Sequence, residues 1–261
     1  MRARLLVIVL ALCAAGHPAL AQPSAPTGLQ VSSGSFNGSD TFSASLNTTN
    51  WAIIDREGDL SNSELECYKP ANQSVAAGLL NLTVQRQSVT CNGHAYNYTS
   101  SMVQWRSFNF TYGTIEVRAK VTGGTGPWPA IWLLGANCQQ TNLVSANDSG
   151  PCVWPQPGSD EIDIAEFLTS NRTGLNQQIH SSTNNSGCSA TVTDASLNYH
   201  VYRFEWAKGS ATWKIDGVQT CHLTASIPST PMFLMLNVAV HGSVAGLPQT
   251  MSVDYVTVTQ P

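Results

Sequence analysis

Beyond its first 21 residues, this 261-residue chain has no apolar run long enough to cross a bilayer as a helix, which excludes a helical membrane protein. It has no stretch of ten or more residues with a helical period and caps, which argues against an all-α fold. It has no internal repeat, no block of like charge and no CxxC pair at zinc-site spacing, so neither a repeat array nor a zinc site is indicated. Positive charge is scarce: Lys and Arg total 12 against 16 Asp and Glu, for a formal charge of −4. An acidic chain of this kind is a poor candidate for nucleic-acid binding, and for gripping a densely sulfated polymer.

At the amino terminus, two arginines precede an apolar run from Leu5 to about Ala15, and Ala19-Leu20-Ala21 supplies a small-x-small cleavage site. Residues 1–21 read as a secretory signal peptide and imply a secreted, extracellular or periplasmic product. Cleavage removes Arg2 and Arg4 and no acid, so the charge moves to −6. It also removes Cys13 and leaves six cysteines, an even number that suggests three disulfides in an oxidising compartment. Fifteen pairings are possible; proximity favours Cys67–Cys91 and Cys138–Cys152, leaving Cys188–Cys221.

Residues 22–33 read as a flexible lead and residues 34–261 as one domain. Strand signals recur through it. In GTIEVRAKV, Ile115, Val117, Ala119 and Val121 alternate with Glu116, Arg118 and Lys120, the pattern of a half-buried strand. Asp216-Gly217 between two short runs signals a hairpin, and MFLMLNVAV reads as a central strand covered on both faces. Many short strands with Gly-, Asn- and Ser-rich turns point to an all-β sandwich.

Function is legible in DEIDIAEF, residues 160–167. Regular alternation puts Glu161 and Asp163 on one face and Ile162 and Ile164 on the other. Continued, it would send Glu166 into the apolar layer and Phe167 out of it, and an unpaired buried charge is costly. One extra residue at Ala165, a β-bulge, repairs both faults and returns Glu166 to the face of Glu161 and Asp163. Three carboxyls on one face must retain or share a proton at neutral pH. That is what retaining glycoside cleavage requires: one carboxylate as nucleophile and one carboxylic acid as proton donor, about 5–5.5 Å apart. The chain also carries Trp105, Trp128, Trp132, Trp154 and Trp206, whose rings suit the apolar faces of sugars, and Trp128 and Trp132 share strand parity.

The segments SNSELECY (61–68), YGTIEVRAKV (112–121), GPWPAIWLLG (126–135), WPQPGSDEIDIAEF (154–167), PMFLMLNVAV (231–240) and LPQTMSVDYVTV (247–258) together resemble glycoside hydrolase family 16, in its laminarinase-like, bulge-containing branch. The resemblance implies a concanavalin-like β-jelly roll: two curved antiparallel sheets with a cleft on the concave face. It implies endo-acting, retaining hydrolysis of β-1,3- or mixed β-1,3-1,4-glucans, with Glu161 as nucleophile, Glu166 as acid/base and Asp163 as assisting carboxylate. Trp128 and Trp132 would line the donor side of the cleft, with Asn62, Glu64 and His180 near it; Trp105 from the aromatic set, and Asn237 and His241 from their shared parity along MFLMLNVAVH, are further candidate substrate contacts. No cofactor is required, although many relatives bind a structural calcium through an Asp like Asp254. The expected partner is a neutral polysaccharide, with no nucleic acid and no membrane, and the expected state is a monomer. Two departures stand out. Ala165 replaces a frequent Met, and HGSVAGLPQ lacks the Gly-Gly and Trp that many relatives place there, which leaves the β-1,3-glucan preference open. The rival readings are an agarase or galactanase, a transglycosylase, or a non-catalytic glucan-binding protein on the same scaffold.

Overall fold

The computed structural model describes residues 37–140, 144–145, 152–168, 170–183 and 185–261. Residues 1–21, expected to be a signal peptide, residues 22–33, expected to be a flexible lead, and with them Cys13, lie outside the described residues. Eighteen strands follow one another: β1 Trp51–Ile54, β2 Arg56–Glu57, β3 Glu66–Tyr68, β4 Gln73–Ala76, β5 Leu79–Cys91, β6 His94–Ser100, β7 Met102–Trp105, β8 Gly113–Lys120, β9 Thr125–Gly135, β10 Val144–Ser145, β11 Glu161–Glu166, β12 Gly174–His180, β13 Asn185–Thr191, β14 His200–Ala207, β15 Ser210–Ile215, β16 Val218–Leu223, β17 Met232–Ala245 and β18 Gln249–Thr259.

They form two sheets, the sandwich that the strand pattern predicts and the jelly roll that the family resemblance implies. The first runs β10-β1-β7-β17-β9-β11-β12-β13, and the second runs β16-β15-β14-β8-β18-β5-β6-β3-β2 with β4 on β5. Pairing is antiparallel except for β1 with β10 and β3 with β6. One apolar core fills the space between the sheets. On β8, Ile115, Val117 and Ala119 are fully buried while Glu116, Arg118 and Lys120 are partly exposed, so strand parity sorts the faces. The first nine residues of β17 are all buried, as expected for a central strand between β7 and β9. The β15–β16 hairpin turns at Asp216 (φ 50°) and Gly217 (φ 82°), a left-handed pair that suits a tight two-residue turn. All three disulfides join the cysteines that proximity pairs: Cys67–Cys91, Cys138–Cys152 and Cys188–Cys221.

Two buried polar contacts hold β11 in place. Trp213 of β15, fully buried in the opposite sheet, donates its Nε1–H to the Asp163 carbonyl at 2.8 Å. That carbonyl lies where β11 loses its regular pairing, and a buried carbonyl without a partner is costly. Beyond β11, the buried guanidinium of Arg172 donates to the carbonyls of Thr122, Phe167 and Pro127 at 2.7, 3.2 and 2.7 Å. Burial lowers its pKa to about 10, which leaves it charged at neutral pH.

Trp213→Phe keeps most of the ring and removes the indole donor. It should lower the free energy of unfolding in urea by about 1–3 kcal/mol, the cost of an orphaned buried carbonyl. An unchanged midpoint would show that the irregular segment does not depend on this bond.

Candidate active site

The bulge is where the acidic pattern requires it. Against β9, Asp163 pairs with Trp132, Ala165 with Ile131 and Glu166 with Ala130. Against β12, Asp163 pairs with Gln178 and Glu166 with Asn176. Three steps along β11 therefore match two steps on each neighbour, and Glu166 returns to the face of Glu161 and Asp163. Ile162, Ile164, Ala165 and Phe167 are buried. Opposite β9 the unpaired residue is Ile164, one position before the Ala165 expected from the sequence. The consequence for the faces is the same, because both residues turn away from solvent.

The three carboxyls form one electrostatic unit with His180, which pairs with Glu161 across the β11–β12 ladder. His180 Nε2 lies 3.3 Å from Asp163 Oδ2 and 4.0 Å from Glu161 Oε1. Burial raises the pKa of all three acids above their ordinary values. Asp163, only 2% exposed, is pushed up further by the charge of Glu166, and Glu161 by the charge of Asp163. Glu161 is drawn back toward ionisation by His180 and by a hydrogen bond from the Trp154 indole. Glu166 accepts from Trp128 Nε1 at 3.1 Å and is also bonded to Asn176. For a coupled cluster the protons belong to the group as a whole. The arrangement retains protons within the group, with Asp163 the most deeply buried member and with Glu161 and Glu166 each flanked by two polar neighbours. Such a cluster can present a nucleophile and a proton donor together.

The aromatic and polar residues named from the sequence divide into three groups. Trp128 and Trp132 lie on β9 at the parity of Ala130, which pairs with Glu166. Trp132 Nε1 donates to Asn237 Oδ1 at 2.8 Å. His241 stands edge-on to Trp128, with ring centroids 6.0 Å apart, and bridges to Glu64, so Trp128, Trp132, Asn237, His241 and Glu64 make one continuous wall. Asn62 is exposed beside Glu64, its amide 3.5 Å from Glu64 Oε1. Trp105 is corrected: it is fully buried, packed against Trp51, Phe108 and Phe110, and cannot meet substrate. Its parity on β7 sends it into the sandwich, whereas its neighbour Gln104 shares a cross-strand row with Met235, Trp132 and Asp163. Sequence reasoning left Trp154 among the general aromatics. It is 53% exposed, its ring centroid lies 6.0 Å from that of His180, and its indole bonds Glu161. The signal available was its place at the head of the acidic segment.

A calcium site at Asp254 does not match the donors present. Its carboxylate is bound to the Arg118 guanidinium, and both side chains are mostly buried. At the amino-terminal side, the Asp40 carboxylate accepts from Phe42 N and Trp51 Nε1, and its carbonyl accepts from Val256 N. A cation there would compete with a guanidinium for oxygens already in use. Among the described residues, one group of side chains is spaced to hold a metal: Glu161, Asp163 and His180, with ligand atoms within 4.8 Å of one another. These are the residues of the reactive cluster itself.

Fold and cluster together define a β-jelly-roll protein with a half-buried acidic cluster beside a wall of tryptophans. The sequence profile of glycosyl hydrolases family 16 matches residues 62–257, and the chain belongs to that family. It is 31% identical over 219 residues to endo-1,3-1,4-beta-glycanase EglC of Rhizobium meliloti (strain 1021), covering 75% of this chain and 43% of that protein. It is 29% identical over 231 residues to a beta-glucanase of Rhodothermus marinus, covering 76% of this chain and 74% of that protein. Among solved structures, the laminarinase catalytic domain of Thermotoga maritima MSB8 superposes with a TM-score of 0.75 at 28% identity, covering 85% of this chain and 96% of that one. The chain thus spans less than half the length of EglC and nearly all of the laminarinase domain.

Asp163→Asn tests the retained proton through stability. The folded pKa of Asp163 lies above its unfolded value of 3.8, so stability from this group is present below that value and is lost as pH rises toward the folded pKa. Asn carries no such penalty. The variant should gain stability relative to the parent as pH is raised from about 4 to 7, measured by urea unfolding at each pH. A difference independent of pH would place the proton elsewhere.

Proposed function

We propose that this protein is an exported, endo-acting, retaining glycosidase that cleaves β-1,3- or mixed β-1,3-1,4-glucans. The observation that carries this reading is the bulge-corrected alignment of Glu161 and Glu166 on one face of β11, with the Trp128 indole bound to Glu166. Family membership and the similarity to a beta-glucanase and a laminarinase domain support it. Three disulfides fit an oxidising, extracytoplasmic compartment, in agreement with the amino-terminal export signal.

The chemistry follows from the charges of the site. Ionised Glu161 attacks the anomeric carbon of the donor sugar. The bond to the leaving oxygen breaks as Glu166 transfers its proton there, and a glycosyl ester on Glu161 results. With the leaving chain gone, Glu166 is a carboxylate. It takes a proton from water, the water oxygen adds to the anomeric carbon, and Glu161 is released ionised with Glu166 again protonated. Two inversions give net retention. Asp163 and His180 adjust the charge on Glu161 between the two steps. An uncharged polymer needs no cationic groove, and the wall of Trp128 and Trp132 offers apolar ring faces in its place.

Purified residues 22–261 should release oligosaccharides from laminarin or mixed-linkage β-glucan, with the β-anomer formed first by proton NMR. Glu161→Gln should lower kcat by about 10⁴-fold or more while still binding oligosaccharide. Products from agarose alone would keep the mechanism and overturn the substrate. Binding without products would favour a recognition protein, and products longer than the substrate a transglycosylase.

A further inference from the structure

A second pair of carboxyls lies beside the cleft, and the catalytic chemistry above does not use it. Glu66 on β3 is fully buried. Its Oε2 accepts the Val240 N–H of β17 at 2.7 Å. Its Oε1 faces Glu64 across Gly58: a Cβ placed on Gly58 would stand 2.5 Å from Glu66 Oε1 and 2.8 Å from Glu64 Oε2. The two side chains are hydrogen-bonded to each other, which requires a proton on one of them, and among the described residues neither acid is ion-paired. Glu64 is otherwise occupied as an acceptor, taking the Asp59 N–H at 2.9 Å and the Tyr68 hydroxyl at 3.3 Å on Oε2. A protonated Glu66 supplies the missing donor.

From Tyr68 the hydrogen bonds continue into the cleft. Asn237 Nδ2 donates to the Tyr68 hydroxyl at 3.1 Å, and Asn237 Oδ1 accepts from Trp132 Nε1 at 2.8 Å. Every bond in this chain has one sense. The Tyr68 hydroxyl lies between the two acids, bonded to Glu66 as well as Glu64; with Glu66 protonated its proton goes to Glu64, its lone pairs take the Asn237 amide, and that in turn aims the Asn237 carbonyl at the indole.

We propose that Glu66 is a positioning residue, held as a neutral carboxylic acid, which acts through Glu64, Tyr68 and Asn237 to fix the indole of Trp132 in the cleft. The inference rests on the glucanase reading only for the identity of the sugar that Trp132 meets. Ionised, Glu66 repels Glu64 and competes with it for the Tyr68 proton, so the hydroxyl turns and the amide that holds the indole is free to rotate. Burial and the neighbouring charge of Glu64 both favour the neutral form of Glu66, and burial beside these acids also raises the Tyr68 hydroxyl. The other titratable groups around the pair are Asp59 ahead of it, Glu57, His94 and Tyr96 on β2 and β6, and His241 on β17. Glu57 is already committed to His94 and Tyr96, which holds its carboxyl down at about 2, so it stays ionised over the whole range.

The experiment follows the Trp132 indole directly. In ¹⁵N-labelled protein, its Nε1–H resonance is assigned by its loss in Trp132→Phe and followed from about pH 5 to about pH 10, the interval in which a buried carboxyl with a raised pKa titrates. In the parent the resonance should shift through this range. In Glu66→Gln, whose amide mimics the neutral acid, it should not. Tyr68→Phe breaks the chain without touching either acid and should hold the resonance at a displaced position at every pH. With a soluble glucan, the ratio of parent KM to Glu66→Gln KM should rise several-fold over the same range while the ratio of kcat values stays level. An indole that does not titrate in the parent, or titrates equally in Glu66→Gln, overturns the proposal. An indole that behaves as stated with no glucan turned over supports it and overturns only the substrate reading.

Discussion

The structure turns on a loss of phase in a single strand. A regular β11 would place one carboxylate among isoleucines and one phenylalanine in the cleft. Inserting a residue between Asp163 and Glu166 avoids both, at the expense of a ladder that no longer satisfies its own backbone. The opposite sheet makes good the deficit through the Trp213 indole, which crosses the sandwich to the Asp163 carbonyl. The reactive face is thus anchored from behind, by a residue that never approaches substrate. Arg172 plays the matching part downstream, collecting carbonyls from three segments where the chain leaves the cleft. The geometry of the acidic face belongs to the packing of two layers and not to one strand alone.

Concentrating acid in a dry cleft has an electrostatic consequence. Each carboxyl is displaced toward its neutral form, and the donors around it decide which one carries charge. Glu161 has His180 and Trp154 nearby, and Glu166 has Trp128 and Asn176. Asp163 is the most buried of the three, with His180 Nε2 3.3 Å from its carboxyl. The same economy of protons recurs at Glu64 and Glu66, where position and not reaction is at stake. Charge in this protein is placed by hydrogen-bond donors, because cationic side chains are few and mostly engaged on the outer sheet, as in the Arg203–Glu205–Lys214 group.

Strand parity made much of this architecture readable in advance. The alternation in β8, the Asp-Gly turn, the covered run of β17 and the acidic phase break each depend on local periodicity, and each is present in the fold. The shared parity of Trp128 with Trp132 and of Asn237 with His241 was equally local. Trp105 escaped the same reasoning because the side of the sheet it faces is set by the register of β7 against β17, a long-range pairing that its own neighbours do not encode. Trp213 and Arg172 were invisible for the same reason: their partners are carbonyls distant in sequence. Glu66 read as part of a family-like segment, and its isolation from solvent became apparent only once β17 was laid across it.

The three disulfides are packed into the protein next to segments that carry the site residues. Cys67–Cys91 ties down the segment that carries Glu64 and Tyr68, Cys138–Cys152 secures the approach to Trp154, and Cys188–Cys221 holds the β12–β13 hairpin that presents His180. Each cross-link restrains a piece of wall that would otherwise have to be ordered when a sugar chain arrives. The conformational entropy of those segments is surrendered during folding and oxidation, before any ligand is met, so the contact energy of a bound polymer is available for binding and distortion and is not consumed in assembling the site.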